Sequence, residues 1–174
     1  MKPSAQKIPT ANPMRAIKVA KVTLNMGCGT KLKVDDAKTI LEKLSQRKIV
    51  ITKTKKRTTF NVPKNKPIGA KVTIRKGCDE FLRRLLEARD MKLPESCFDT
   101  SGNFSFGIKE YIEVPGMEYE PKIGILGFDV CVTLERPGYR IKKKKNPKKL
   151  GKPHVIKKEN AIEFVRRNFG IEIE

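Results

Sequence analysis

Residues 66–75 read KPIGAKVTIR. Ala70, Val72 and Ile74 alternate with Lys71, Thr73 and Arg75, the period of two expected of a strand with one buried and one wet face. Just upstream, residues 61–67 read NVPKNKP, with two prolines and two lysines. Each proline removes a ladder donor, so this segment suits an exposed tip better than a buried turn. The span 49–75 as a whole reads as two or three strands, with no face assigned between Arg47 and Thr59. If the arms beside the tip pair over six to eight residues, at roughly 3.3 Å each, the tip stands about 20 to 25 Å from the sheet.

The pattern extends in both directions. Residues 16–25 alternate again, with Ala20, Val22 and Leu24 on one face and Lys21, Thr23 and Asn25 on the other, and Val19 breaks the rhythm. Gly27-Cys28-Gly29 ends that strand, and Asp35-Asp36 opens a helix to about Gln46 with Ala37, Ile40, Leu41 and Leu44 on its stripe. A second helix is expected over 79–91, with Phe81, Leu82, Leu85 and Leu86 inward. Ser101-Gly102-Asn103 reads as a turn between short aromatic strands at Phe98 and at Phe104-Ser105-Phe106. A strand over 125–134 puts Phe128, Val130, Val132 and Leu134 on one face and Asp129, Cys131 and Thr133 on the other. A last helix, about 159–169, closes on Gly170. Strands and helices are intermixed, with hairpins in place of regular crossovers, so the expected class is α+β. Residues 1–14, rich in Pro, Lys and small polar types, read as an extended arm, and 15–174 as one domain.

The 174 residues carry a formal charge of +20, with 39 Lys and Arg against 19 Asp and Glu. Residues 43–76 hold 12 basic residues and no acid, and residues 136–158 hold 11 and no acid. Those two segments outweigh the net charge, so the remainder is slightly acidic and the surplus is local. A polyanion is the expected partner, nucleic acid first and an anionic membrane surface second. The lysine run of 136–158, with Arg140, Lys142, Lys143, Lys144, Lys145, Lys148 and Lys149, reads equally as a nucleic-acid-binding loop or a nuclear localisation tract. It should be disordered alone and fold onto RNA. No apolar run of signal-peptide or membrane-spanning length occurs, which points to the cytoplasm.

Catalysis finds little support. The single histidine, His154, sits in the basic loop, and no phosphate loop, H-E-x-x-H or G-x-S-x-G string occurs. Glu110, Glu113, Glu118 and Glu120 suit a solvated or protein-facing edge better than a carboxylate site. Cys28, Cys78, Cys97 and Cys131 lie far apart without a C-x-x-C pair, so reduced thiols are expected, with no metal and no cofactor. Neutral polar side chains on the strand faces have another use. Asn25 and Thr73 share faces with Lys21 and Lys71, and amides and hydroxyls can both donate to and accept from 2′-OH groups and base edges.

Five strings, in order, carry a resemblance: VTLNMGCG (22–29), ITKTKK (51–56), KPIGAKVTIR (66–75), SCFDTSGNFSFGI (96–108) and GFDVCVTLERPGYR (127–140). With them the chain resembles the universal large-subunit ribosomal protein family number five. Its ending, through the lysine run to NFGIEIE, is similar to the archaeal and eukaryotic branch. The resemblance implies a curved antiparallel sheet packed against helices, with a long protruding basic hairpin and no enzymatic activity. It implies binding to 5S rRNA in the central protuberance, with large-subunit rRNA and neighbouring ribosomal proteins as further partners. By position, the family's 5S contacts fall on Asn12, Asn25, Gln46 and Thr73, with Lys21, Lys71 and Arg75 on the same surface. The tip residues Pro63, Lys64, Asn65 and Lys66 would meet P-site tRNA. Thr30 and Lys31 depart from the family's acidic-small pair after the glycines. A regulatory adaptor working off the ribosome through the 110–120 acidic edge is the alternative of a different class.

Overall fold

The computed structural model describes residues 12–29, 33–57 and 62–174. Residues 1–11 of the expected arm, Thr30, Lys31 and residues 58–61 beside the tip lie outside the described residues. The first strand, β1 (Lys18–Gly27), occupies the middle of a five-stranded sheet. On one side it pairs antiparallel with β3 (Pro67–Ile74), which carries β2 (Val50–Lys53) at the edge. On the other side it pairs antiparallel with β6 (Phe128–Glu135), which carries β5 (Phe104–Ile108). Beyond residue 21 the inward side chains are those the alternation named, since Val22, Leu24, Val72, Ile74, Val130, Val132 and Leu134 are all buried, whereas Ala20, expected on the same face, is only half-buried and outside the core.

The break at Val19 has a local cause. Pairing of β1 with β6 runs Lys18 to Glu135 and Val19 to Leu134, then resumes at Lys21 to Thr133, leaving Ala20 as an extra residue. Such a bulge shifts the phase of the side chains by one. Ile17 and Val19 therefore pack on the core before it, and Val22, Leu24 and Met26 after it.

Helix α1 (Val34–Ser45) buries Ala37, Ile40, Leu41 and Leu44 over β3. Asp35 and Asp36 in its first turn favour its positive end. Helix α2 (Cys78–Glu87) packs on β1 through Leu82, Leu85 and Leu86, with Phe81 only half-buried. It ends earlier than the expected 91. Asp90 and Met91 take left-handed φ values of 51° and 57°, and the Met91 amide turns back to donate to the Leu86 carbonyl at 3.1 Å. Helix α3 (Lys158–Phe169) closes on Gly170 at φ 69°, as the sequence indicates. A parallel pair, β4 (Lys92–Leu93) with β7 (Glu172–Ile173), is too short to show any period in the sequence; it ties the chain's end to the segment after α2.

Two strand expectations need correction. The last long strand starts at Phe128 and not at 125, because Gly124 is left-handed at φ 77° and the Leu126 carbonyl accepts from the Tyr111 amide outside the ladder. Phe98 makes a single bridge to Phe104 and no strand of its own. The long hairpin is not confirmed either. The β2 arm is four residues long, about 13 Å at strand rise, with a register shift between Thr52 and Lys53. Thr54 then closes the connection. Its amide donates to Lys66 O at 3.0 Å, its carbonyl accepts from Asn65 N at 3.0 Å, and its hydroxyl donates to Pro63 O at 2.7 Å.

Candidate nucleic-acid interface

With α1 and α2 on one side of the sheet, the other side is left uncovered among the described residues. Strand alternation sends Lys21, Thr23 and Asn25 of β1 there, beside Lys71 and Thr73 of β3, with Arg75 just past its end. The register arranges them in rows. Thr73, Thr23, Cys131 and Ser105 stand side by side in one row, and Lys71, Asn25, Asp129 and Gly107 in the next. Five residues nominated from the sequence, Lys21, Asn25, Lys71, Thr73 and Arg75, are thereby brought onto one surface.

The surface is chemically divided. The β1–β3 half carries the cations Lys21, Lys71 and Arg75. The β5–β6 half carries none on its strands, and its charged members are Asp129 and Glu135. Between them the hydroxyls of Thr23 and Thr73 lie 3.5 Å apart, the outer limit of a hydrogen bond, so both retain donor and acceptor capacity. Burial raises the Cys131 thiol above its ordinary value and the carboxylate of Asp129 adds to the shift, so the row presents a neutral thiol to solvent. At the Gly27 end of the face, Asn25, Gly27, Gly107 and Asp129 line a shallow concavity with Arg89 and Lys109 at its side.

The other nominated residues lie elsewhere. Asn12 is exposed and caps a short 3-10 turn, Pro13–Arg15, accepting from the Met14 amide at 2.9 Å. Gln46 is the exposed, left-handed C-cap of α1 at φ 51°. Its neighbour Arg47 donates to the Lys76 carbonyl at 3.2 Å, which holds this corner at the Arg75 end of β3. Pro63, Lys64, Asn65 and Lys66 are exposed in the β2–β3 connection, with Asn65 left-handed at φ 66°.

The basic loop has a built base. Tyr139 is buried, and its hydroxyl donates to His154 O at 3.1 Å while accepting from the Ile156 amide at 3.0 Å. The His154 ring nitrogen Nε2 lies 2.8 Å from Pro137 O, and Ile156 is fully buried against Gly102. Lys143 Nζ sits 2.5 Å from Glu135 Oε1, and Lys142 lies 5.4 Å above the Tyr139 ring. Arg140, Lys143, Lys144, Lys145 and Asn146 line one open concavity. His154 is therefore part of the scaffold.

The glutamate cluster is partly a staple. Glu120 Oε2 pairs with Lys43 Nζ of α1 at 2.6 Å, and the Glu120 amide donates to the Tyr111 hydroxyl at 2.9 Å. Among the described residues no group of three His, Cys, Asp or Glu is placed to hold a metal ion. Thr23, Ser105, Cys131 and Asp129 were not nominated from the sequence although they share the open face. Alternation signalled three of them, but the neighbour relations that make them a row exist only in the register.

A polar, partly cationic sheet face framed by lysine-rich loops is suited to RNA. The comparisons agree with that chemistry. Residues 67–164 match the model for the C-terminus of the ribosomal L5 family. Along nearly its whole length the chain is similar to large ribosomal subunit proteins uL5. It is 41% identical over 174 residues to that of Sulfolobus acidocaldarius, covering 98% of each chain. It is 46% identical over 167 residues to that of Cenarchaeum symbiosum, covering 94% of this chain and 99% of the relative. It is 40% identical over 180 residues to that of Methanococcus vannielii, covering 98% of each. On both counts, the chain belongs to the ribosomal L5 family.

Proposed function

We propose that this chain is a structural protein of the large ribosomal subunit that binds 5S rRNA on the open face of its sheet and helps attach it in the central protuberance. Membership of the family makes it a ribosomal protein and not an enzyme. The observation that carries the finer reading is the row of uncharged hydrogen-bonding groups, Thr73 and Thr23, set beside Asn25 and bordered by Lys21, Lys71 and Arg75. Lysine and arginine supply affinity for phosphates without regard to sequence, whereas hydroxyls and an amide at fixed spacing select among 2′-OH groups and base edges. Asn12 and Gln46, which lie off this face, are assigned as further 5S contacts by their family positions. Pro63, Lys64, Asn65 and Lys66, exposed at the Thr54 closure, are the residues offered to P-site tRNA. Large-subunit rRNA and neighbouring ribosomal proteins complete the partners.

The test is a salt-titrated binding assay of the purified protein against 5S rRNA, with transfer RNA and an unrelated duplex as competitors. Selective 5S binding that survives rising salt supports the open-face reading. Equal binding to all three RNAs, lost together as salt rises, would reduce the face to a basic surface and overturn it.

A further inference from the structure

Asp129 is the wrong charge for a surface that meets phosphates. It stands exposed on the open face, in the row Lys71, Asn25, Asp129, Gly107. It has no ion-pair partner among the described residues, although Lys71 lies two strands away in that row. A phosphate approaching it would be repelled. A carboxylate accepts hydrogen bonds and donates none, so the RNA groups it can hold are N–H and O–H donors.

The surroundings narrow the choice. On one side Asn25 is the direct cross-strand partner of Asp129, an arrangement that sets opposed Cβ atoms about 4.5 to 5.5 Å apart. On the other side stands Gly107, and Gly27 follows Asn25 on the same face. Neither glycine is left-handed, so neither is required by its backbone conformation. A Cβ at Gly27 would meet nothing within 4 Å, and one at Gly107 would meet only Asp129 Oδ1, at 3.7 Å. The two glycines therefore leave bare backbone beside the carboxylate. These residues line the concavity at this end of the sheet, with Arg89 and Lys109 at its side.

We propose that this concavity is a pocket for an unpaired guanine and that Asp129 reads the base; the proposal rests on the open-face reading of 5S rRNA binding and deepens it. Among the four bases guanine alone sets two N–H donors side by side on its Watson–Crick edge, at N1 and N2, and they match the two oxygens of one carboxylate. Adenine and cytosine place a ring acceptor beside the amino group, and uracil flanks its N3–H with two carbonyls. Each of those would set a lone pair against Asp129. Asn25 stands beside the carboxylate, where its amide can donate to guanine O6. The ring rests on the backbone left bare by Gly27 and Gly107, and Lys71, Arg89 and Lys109 around the pocket meet the flanking phosphates. The Watson–Crick edge is free only in an unpaired nucleotide, so the ligand is a loop or bulge and not a regular helix.

The experiment measures binding of the full chain and of Asp129→Asn to 5S rRNA at one fixed salt concentration. It then repeats both with 5S rRNA carrying inosine at random guanosine positions, since inosine keeps N1–H and lacks the N2 amino group. Asn keeps the size of the side chain and removes its charge, and because Asp129 is exposed the urea midpoint should stay at the wild-type value. The expected result is a loss of roughly tenfold or more in 5S affinity. A carboxylate that only repelled phosphates would instead give a gain. Inosine at one guanosine should exclude the RNA from the wild-type complex and should make no difference to the variant, as two partners of one contact require. Asp129→Asn binding as tightly as the wild type or more tightly, or every inosine effect persisting in the variant, would overturn the pocket while selective wild-type binding leaves the open face standing. If the wild type shows no selectivity for 5S rRNA, both readings fall together.

Discussion

Thr23 and Thr73 face one another across β1 and β3, fifty residues apart in the chain, with their hydroxyl oxygens 3.5 Å apart on the uncovered face of the sheet. At that separation neither hydroxyl is committed to the other, and a ligand oxygen or amide can recruit both by rotation about χ1. Packing of Val22, Leu24, Val72 and Ile74 on the reverse side holds the pair in place.

Asn25→Ala combined with Thr73→Ala should weaken 5S rRNA binding by about 2 to 3 kcal/mol, the worth of two hydrogen bonds to RNA. Lys64→Ala with Lys66→Ala should leave 5S affinity unchanged. Filter binding at one fixed salt concentration decides it, and equal losses from the two pairs would end the division of labour between face and tip.

Gly69 and Gly27 pair across β3 and β1 but answer to different constraints. A Cβ at Gly69 would lie 2.6 Å from the Met26 carbonyl oxygen and 3.1 Å from Thr52 Oγ1, whereas one at Gly27 meets nothing within 4 Å. Gly69→Ala should therefore lose about 1 to 3 kcal/mol of stability by overpacking against backbone. Gly27→Ala should be neutral or gain about 0.5 kcal/mol, having no left-handed φ to strain. Urea midpoints of the two variants make the comparison.

Tyr139→Phe removes one oxygen and two hydrogen bonds, leaving the buried Ile156 amide without a partner. The expected loss is about 1 to 3 kcal/mol. Urea unfolding measures it, and hydrogen exchange at Ile156 should accelerate ahead of amides in β1.

The thiols of Cys28 and Cys78 are raised above their ordinary value, first by burial and then by Asp36 and Asp79 respectively. The unfolded chain therefore releases these protons at lower pH than the folded one. Stability is fully present below the ordinary thiol range and falls as pH rises through it. Urea midpoints measured across that range should decline less steeply in the Cys28→Ala, Cys78→Ala variant; parallel declines would refute the assignment.

Much of this architecture could be read from alternation alone. The inward sets of β3 and β6, that of β1 beyond its bulge, and the stripe of α1 follow from residue types at periods of two and 3.6. What escaped was non-local or conformational. The period in β1 slips because β6, more than a hundred residues away, passes one residue of β1 unpaired. The leucine-rich pattern of α2 runs on past Glu87 without showing that Asp90 and Met91 turn left-handed. The β2 arm is short because Thr54 satisfies by side chain and main chain what further ladder pairs would have satisfied. Asn25 and Thr73 were placed correctly on a face, but the row joining Thr73 to Thr23, Cys131 and Ser105 depends on pairings that no single strand encodes.

The central position of β1 has a consequence for how the chain is made. Its neighbours are residues 67–74 and 128–135, so the first of the described strands to leave the translating ribosome must wait for residue 135 before both its edges are satisfied. Until residue 135 has emerged, at least one edge of β1 offers bare amides and carbonyls beside a row of apolar side chains, the condition under which strands pair with the wrong partner. Contacts this distant in sequence also make folding slow. During synthesis, protection of the segment 18–27 by a chaperone or by the nascent chain's own RNA partner would matter more than the stability of the finished fold.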